Sequence, residues 1–328
     1  MTARPTSVAA AAAVLGDLAE RDVPLAPFTT YRLGGPAAVF VRASSAADLE
    51  AVAAARRESG LPVLVVGRGS NLLVADAGFC GIAVLVTGLQ RADGGAEGPD
   101  IVLDDEAGTF ASGAGMALPV VARRLSAAGR RGFEWAVGVP GSIGGAVRMN
   151  AGGHGSDIAS CLVDADIVDL SSGERATWPA ADIGLRFRSS ALTDDHVVVS
   201  ARLRVHPGDR AESEAELAEI VRWRRENQPG GQNAGSVFVN PVPGEVSAGS
   251  LIDGLGLRGL RHGSASVSDK HANFIQGSDG GSADDVRQLI EFVRAKVAAE
   301  TGFLLRSEVR LVGFDAETAA GAPPGVPA

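Results

Sequence analysis

An apolar strand that runs straight into a glycine turn restricts this chain more than any other feature. Residues 61–66 (LPVLVV) are continuously apolar, and GRGSNLL (67–73) follows without a break. A short unbroken apolar run bounded by glycine reads as a strand covered on both faces. Glycines at its end let backbone N–H groups approach an anion closely, as a diphosphate requires. A second glycine-dense stretch, GVPGSIGGAVRMNAGGHG (138–155), is too rich to serve one structural turn. Neither is a standard nucleotide motif. Residues 67–73 lack the third glycine of the dinucleotide fingerprint, and no Gly-Lys-Ser/Thr follows them. Together the two stretches point to a chain wrapped around a large phosphate-bearing cofactor.

A length of 328 residues suits two domains, or one large domain with an appendage. Apolar residues make up 45% and charged residues 21%, with 43 glycines, a balance that fits a compact, loop-rich enzyme rather than a coiled coil or fibre. The formal charge of −9 argues against nucleic-acid partners, which need clustered Lys and Arg. An anionic ligand must therefore find a local basic site. Cys80 and Cys161 sit among small or apolar neighbours with no metal-ligand spacing, and read as buried free thiols in a reducing cytosol. The Ala-rich stretch 8–15 is followed at once by Asp17, Glu20, Arg21 and Asp22, the pattern of an amphipathic or frayed helix rather than a signal peptide. No run approaches the roughly 20 apolar residues of a membrane span. A soluble, cytoplasmic protein without a metal site or membrane partner is expected.

Along the chain, residues 44–59 read as a helix with Ser45 as N-cap and Leu49, Val52 and Ala53 on one face. Strands are expected at 81–86, at 162–170 and at 196–205, with a strand pair within 101–112. A helix at 118–128 ends at Gly129. A break falls at Pro207-Gly208-Asp209, followed by a polar helix at 211–226, a strand near 272–275, a long helix at 283–301 and a terminal strand at 304–312. This irregular interleaving is an α+β layout. From Phe314 onward the Ala/Gly/Pro-rich tail reads as disordered.

Eight segments in this order resemble the UDP-N-acetylenolpyruvoylglucosamine reductase family, flavoenzymes of peptidoglycan precursor synthesis. They are TTYRLGG (29–35), GRGSNLLVADAGF (67–79), the 138–155 stretch, FRSSAL (187–192), GSVFVNP (235–241), AGSLIDGLGLRG (248–259), VSDKHANFI (267–275) and SEVRLVG (307–313). The glycine loops alone would indicate only the wider flavin fold; the later motifs make the resemblance specific. It implies an FAD-binding domain of the vanillyl-alcohol-oxidase (PCMH) type at 24–206, built as two lobes, after an N-terminal helix or tail at 1–23. A C-terminal α+β substrate-binding domain would occupy 207–313, with the tail at 314–328. FAD would be held non-covalently, with Gly67, Gly69, Ser70, Asn71 and Leu72 on the diphosphate side. Gly138, Ser142, Gly144, Gly145 and Asn150 would form the second wall, and Tyr31 and Arg32 would contact cofactor or substrate.

The implied reaction takes a hydride from NADPH to FAD, and then from reduced flavin to C3 of an enolpyruvyl ether on a sugar nucleotide. Hydride arriving at C3 pushes charge through C2 onto the carboxylate, so the site needs cationic support and a proton for C2. Arg188 matches the family's active-site arginine, and a guanidinium can hold a carboxylate through two bonds. Ser236 matches the family's proton donor, and Glu308 its third catalytic residue. Asn240 resembles a contact to the substrate diphosphate, and Arg225, Lys270 and His271 would add local positive charge. Only 48 positions separate Arg188 from Ser236, and the single tyrosine is Tyr31. The chain therefore resembles the shorter branch of the family, which lacks a tyrosine lid. His154 stands where relatives often carry tyrosine. A monomer or weak oligomer is expected. Alternatives are an oxidase on the same flavin fold, and a flavin-binding module without turnover.

Overall fold

The computed structural model describes residues 5–314. Apart from Phe314, the tail expected to be disordered lies outside the described residues. The first lobe is a four-stranded sheet in the order Glu20–Pro24, Pro36–Arg42, Phe79–Leu85, Val63–Val66. Its first pair is antiparallel and the other two pairs are parallel. Alternation sorts its side chains to two faces. Val39, Val41, Ile82 and Val84 pack beneath the helices Pro5–Leu15 and Ala46–Ser59. Phe40, Leu64, Val66 and Ala83 face the opposite core, which also holds Leu72, Val74 and Val312. Ser45 caps the second helix as expected: its hydroxyl accepts from Asp48 N at 3.4 Å, and Asp48 accepts from Ser45 N at 3.0 Å.

The second lobe is a five-stranded antiparallel sheet in the order Arg175–Pro179, Leu162–Asp169, His196–Arg204, Thr109–Gly113, Ile101–Asp104. The helix Leu118–Ala127 buries Leu118, Val121, Ala122 and Leu125 against it. The short helix Ile143–Met149 adds Ile143, Ala146 and Val147. The helix Arg210–Asn227 inserts Leu217 and Ile220 into the same core, and Ser213 donates to the buried Glu134 carboxylate at 2.7 Å. By packing, then, this helix belongs with the second lobe, although it follows the Pro-Gly break at which sequence reasoning begins the C-terminal domain. Cys161 is buried, and burial pushes its thiol up to about 12, so it is inert. Cys80, expected to be buried, is only half-buried. Trp135 is core, edge-on to Phe133 at 5.3 Å.

The C-terminal lobe joins a three-stranded sheet (Arg261–His262, Ala265–Val267, Ile275–Gly277) to the helices Ala248–Gly254 and Ala283–Thr301. Its core includes Tyr31, Leu33 and Leu73, three residues of the first lobe. Two further contacts fix this docking. The terminal strand Arg310–Val312 runs parallel to Leu72–Val74, directly after the first glycine loop. Asp76 accepts from Ser282 Oγ at 2.5 Å, Ala283 N at 2.9 Å and Asp284 N at 3.3 Å, so it caps the long C-terminal helix from another lobe. The terminal strand is shorter than the expected 304–312 because the chain changes partners. Ser307 bridges to Phe238 before Arg310 reaches Leu72. Replacing Asp76 with Ala should lower stability by about 1–2 kcal/mol, as loss of a helix cap does. An unchanged midpoint in urea unfolding would show that this cap does not hold the lobes together.

Candidate active site

The two glycine stretches, far apart in sequence, face each other between the lobes. A Cβ on Gly67 would stand 3.0 Å from Ser142 Oγ, and one on Gly141 would stand 3.8 Å from Ser70 Oγ. Ser142 caps the helix Ile143–Met149, accepting from Gly145 N at 3.4 Å. The two loops contribute differently. Among the described residues, the amides of Arg68, Gly69, Ser70 and Asn71 donate to no protein acceptor. Four consecutive open N–H groups after a strand form an anion cradle. The second loop has spent the amides that open its helix, with Ile143 N on Met116 O at 3.0 Å, Gly144 N on Ala114 O at 2.9 Å and Gly145 N on Ser142 Oγ at 3.4 Å. Its glycines serve close approach instead: a Cβ on Gly144 would fall 2.9 Å from Ala114 Cβ. Gly69 has φ +61°, and its Cβ would fall 2.0 Å from Phe28 O, so no other residue fits that turn. Val65, Gly67, Val86, Gly144, Gly145 and Val198 line the cleft between the loops. Arg148, Asp194 and Arg310 also line it, and an open amide cradle beneath a cleft part apolar and part charged suits a dinucleotide such as FAD.

Arg188 sits at the tip of a two-residue turn closed by Arg186 N to Ser189 O at 2.9 Å and Ser189 N to Arg186 O at 3.0 Å. Its φ is +54°, a conformation that costs a residue with a Cβ. Asn150 anchors this turn. Its amide donates to Arg186 O at 3.1 Å and Asp157 Oδ2 at 3.2 Å, and its carbonyl accepts from Ala159 N at 2.9 Å. Ser190 Oγ adds a bond to Arg148 O at 2.7 Å. The turn thereby brings Arg188 Nε to 3.7 Å from Glu308 Oε2. Burial pushes the Glu308 carboxyl above the usual carboxylate range, and Arg188 and Arg306 only partly oppose it.

Ser236 joins this pair through the backbone. Glu308 N donates to Val237 O at 2.7 Å, and Asn71 Nδ2 donates to Glu308 O at 3.0 Å. Asn273 holds the other side, with Val237 N on its carbonyl at 2.8 Å and Phe238 N on its Oδ1 at 3.0 Å. Arg188, Ser236 and Glu308, remote in sequence, therefore converge beside the first glycine loop. Asn273 is a positioning residue that sequence reasoning left unassigned, although it lies inside a quoted motif.

Several expected contacts take other places. Tyr31 is fully buried in the C-terminal core, its hydroxyl donating to Ile275 O at 3.0 Å and its pKa raised by burial. It is a joint between lobes rather than a wall of the cleft. Asn150 and Asn71 spend their side-chain amides on the Arg188 turn and on Glu308. Leu72 is a buried ladder residue, and Arg32 is exposed on a turn. A Cβ on Gly138 would meet Ile220 and His154 at 3.1 Å, so its role is packing. His154 stands edge-on to Trp223 at 5.2 Å, its pKa lowered by burial and by Arg224. Arg225 and Lys270 do meet: together with Arg224 and Gln228 they line a cavity of about 420 Å³, and Lys270 Nζ donates to Arg225 O. His271 is turned away, its Nδ1 accepting from Asn273 N at 3.2 Å. Asn240 Oδ1 accepts from Ala248 N at 3.1 Å.

Comparison with known proteins places this geometry. Residues 37–177 match the family model of an FAD binding domain, and residues 227–312 match that of the UDP-N-acetylenolpyruvoylglucosamine reductase C-terminal domain. The UDP-N-acetylenolpyruvoylglucosamine reductase of Synechococcus sp. (strain RCC307) is 41% identical over 305 residues, covering 92% of this chain and 96% of that protein. The chain belongs to the UDP-N-acetylenolpyruvoylglucosamine reductase family. The Heliobacterium modesticaldum protein of the same name is also 41% identical, over 88% of this chain and 89% of its own length. The crystal structure of the Thermus caldophilus reductase superposes with a TM-score of 0.74 at 31% identity, covering 90% of this chain and 98% of that one. The α+β architecture and the FAD-dependent oxidoreductase class expected from the sequence both stand.

The strain at Arg188 can be measured apart from its chemistry. Arg188→Gly and Arg188→Ala both remove the guanidinium, but only glycine relaxes at positive φ. The glycine variant should be the more stable of the two by about 1 kcal/mol. Equal stabilities in denaturant titration would mean that the turn is unstrained.

Proposed function

We propose that this chain is a cytoplasmic, NADPH-dependent reductase that converts UDP-N-acetylglucosamine-enolpyruvate to UDP-N-acetylmuramate, a step of peptidoglycan precursor synthesis, as a monomer or weak oligomer. The observation that carries the reading is the convergence of Arg188, Ser236 and Glu308 beside an open amide cradle. FAD, when bound, would supply the two-electron chemistry that links NADPH to C3 of the enolpyruvyl group. The amides of Arg68 to Asn71 would hold its diphosphate.

Arg188 binds the substrate carboxylate and supports the charge that moves onto it as C3 gains hydride. Ser236 gives its proton to C2, which completes addition of two hydrogens across the double bond. A serine hydroxyl is a weak acid, but the carbon it serves is strongly basic at that moment. Glu308, raised by burial, retains a proton more readily than a surface glutamate and so tolerates the neighbouring anion. The diphosphate takes the cavity of Arg224, Arg225 and Lys270, whose cations have no carboxylate partner among the described residues. Asn240 stands nearby in sequence to Ser236 and contributes its free amide N–H groups.

Ser236→Ala separates the two half-reactions. Anaerobic NADPH should bleach the flavin of this variant at the wild-type rate. Reoxidation by UDP-N-acetylglucosamine-enolpyruvate should slow by about 10²–10⁴, the usual worth of a positioned acid. Equal loss of both steps would remove Ser236 from the proton-donor role.

A further inference from the structure

One acid and two arginines at the cleft have no part in the roles above. Arg148 stands on the helix Ile143–Met149 of the second lobe, and Arg310 on the terminal strand zipped to the first. Between them, Asp194 Oδ2 accepts from Arg310 Nη2 at 2.6 Å, and its Oδ1 lies 3.5 Å from Arg148 Nη2. All three line the cavity that Gly67, Gly144 and Gly145 also line. Burial and the nearby Arg310 charge both lower the pKa of Arg148, while Asp194 opposes that shift. The two guanidiniums are thus close enough to repel, and one carboxylate relieves the repulsion. The remaining titratable group on this wall, His196, has its Nδ1 at 3.0 Å from both Thr193 N and Thr193 Oγ1. Arg148, Arg310 and Asp194 together carry a formal net charge of about +1.

A carboxylate on the wall of a cleft that receives an anionic cofactor is unfavourable by itself. It is explained if its work is on the arginines. We propose that Asp194 partly neutralises Arg148 and Arg310 on the cofactor cleft and so limits the positive charge that FAD meets there. The inference rests on the assignment of this cleft to FAD. Reduction adds negative charge to a flavin, so positive charge near it favours the reduced form and raises its midpoint potential.

Charge-changing variants of the FAD-loaded protein test this by potentiometric titration, with FAD affinity measured in parallel by flavin fluorescence. Asp194→Asn should shift the potential upward and tighten FAD binding, and Arg148→Gln should shift it downward and weaken binding. Asp194→Glu, which keeps the charge, should stay near wild type. Potentials that do not move, or that move in the same direction in Asp194→Asn and Arg148→Gln, would overturn the proposal. So would an Asp194→Asn variant that only loses thermal stability and affinity, because that marks a purely structural contact. If Asp194→Asn does not fold, Arg148→Gln alone still decides through the sign of its shift. Failure of the wild-type protein to bind FAD would instead defeat the assignment of the cleft, and is seen before any variant is made.

Discussion

The parallel ladder between Leu72–Val74 and Arg310–Val312 is the contact on which the rest of this structure depends. The first of these strands emerges from the amide cradle, and the second follows Glu308 directly. Asn71 strengthens the joint from both sides, accepting from Arg310 N at 3.0 Å and donating to Glu308 O at 3.0 Å. Hydrogen bonds between strands fix register to a fraction of a residue spacing, so the cradle and the Glu308 carboxyl cannot shift independently. Val237 and Asn273 then pass that register on to Ser236. A site assembled from three lobes gains its precision from this one seam.

Arg188 reaches the seam differently. It is held by a turn in which its backbone has φ +54°, a conformation costly for a residue with a Cβ. Asn150, Ser190 and the Arg186–Ser189 pair stabilise that turn against relaxation. The cost is offset within the second lobe, whose antiparallel sheet and helix Ile143–Met149 give the turn a rigid base. The guanidinium is then presented across the lobe boundary without a flexible loop behind it. Asp76 plays the corresponding part for the C-terminal helix, closing its first turn with a carboxylate from the first lobe.

Much of this was legible in the sequence wherever the signal was local. Ser45, the strand before Gly67 and the amphipathic helix ending at Gly129 each follow from patterns a few residues long. The glycine loops announced a phosphate ligand, but the difference between an open cradle and a packing device depends on Ala114 and Met116, which are distant in the chain. Tyr31, Asn71 and Asn150 looked like ligand contacts because they sit in ligand-loop motifs. Their side-chain polar groups are instead spent on Ile275, Glu308 and Arg186, partners no local pattern reveals, and only Asn71 keeps its backbone N–H open to the cradle. The helix Arg210–Asn227 has a polar surface that hides a narrow stripe of Leu217 and Ile220, so its attachment to the second lobe was invisible. Asp194 carries no sequence signal at all; only the fold brings Arg148 and Arg310 to it.

The shared register of the cradle and the terminal strand is open to direct measurement by amide hydrogen exchange with and without FAD. If the seam joins them, FAD should slow exchange at Arg68 to Asn71 and, in step, at Leu72–Val74 and Arg310–Val312. Protection confined to Arg68 to Asn71, with the terminal strand exchanging as fast as before, would mean that the cofactor and the strand after Glu308 are held independently.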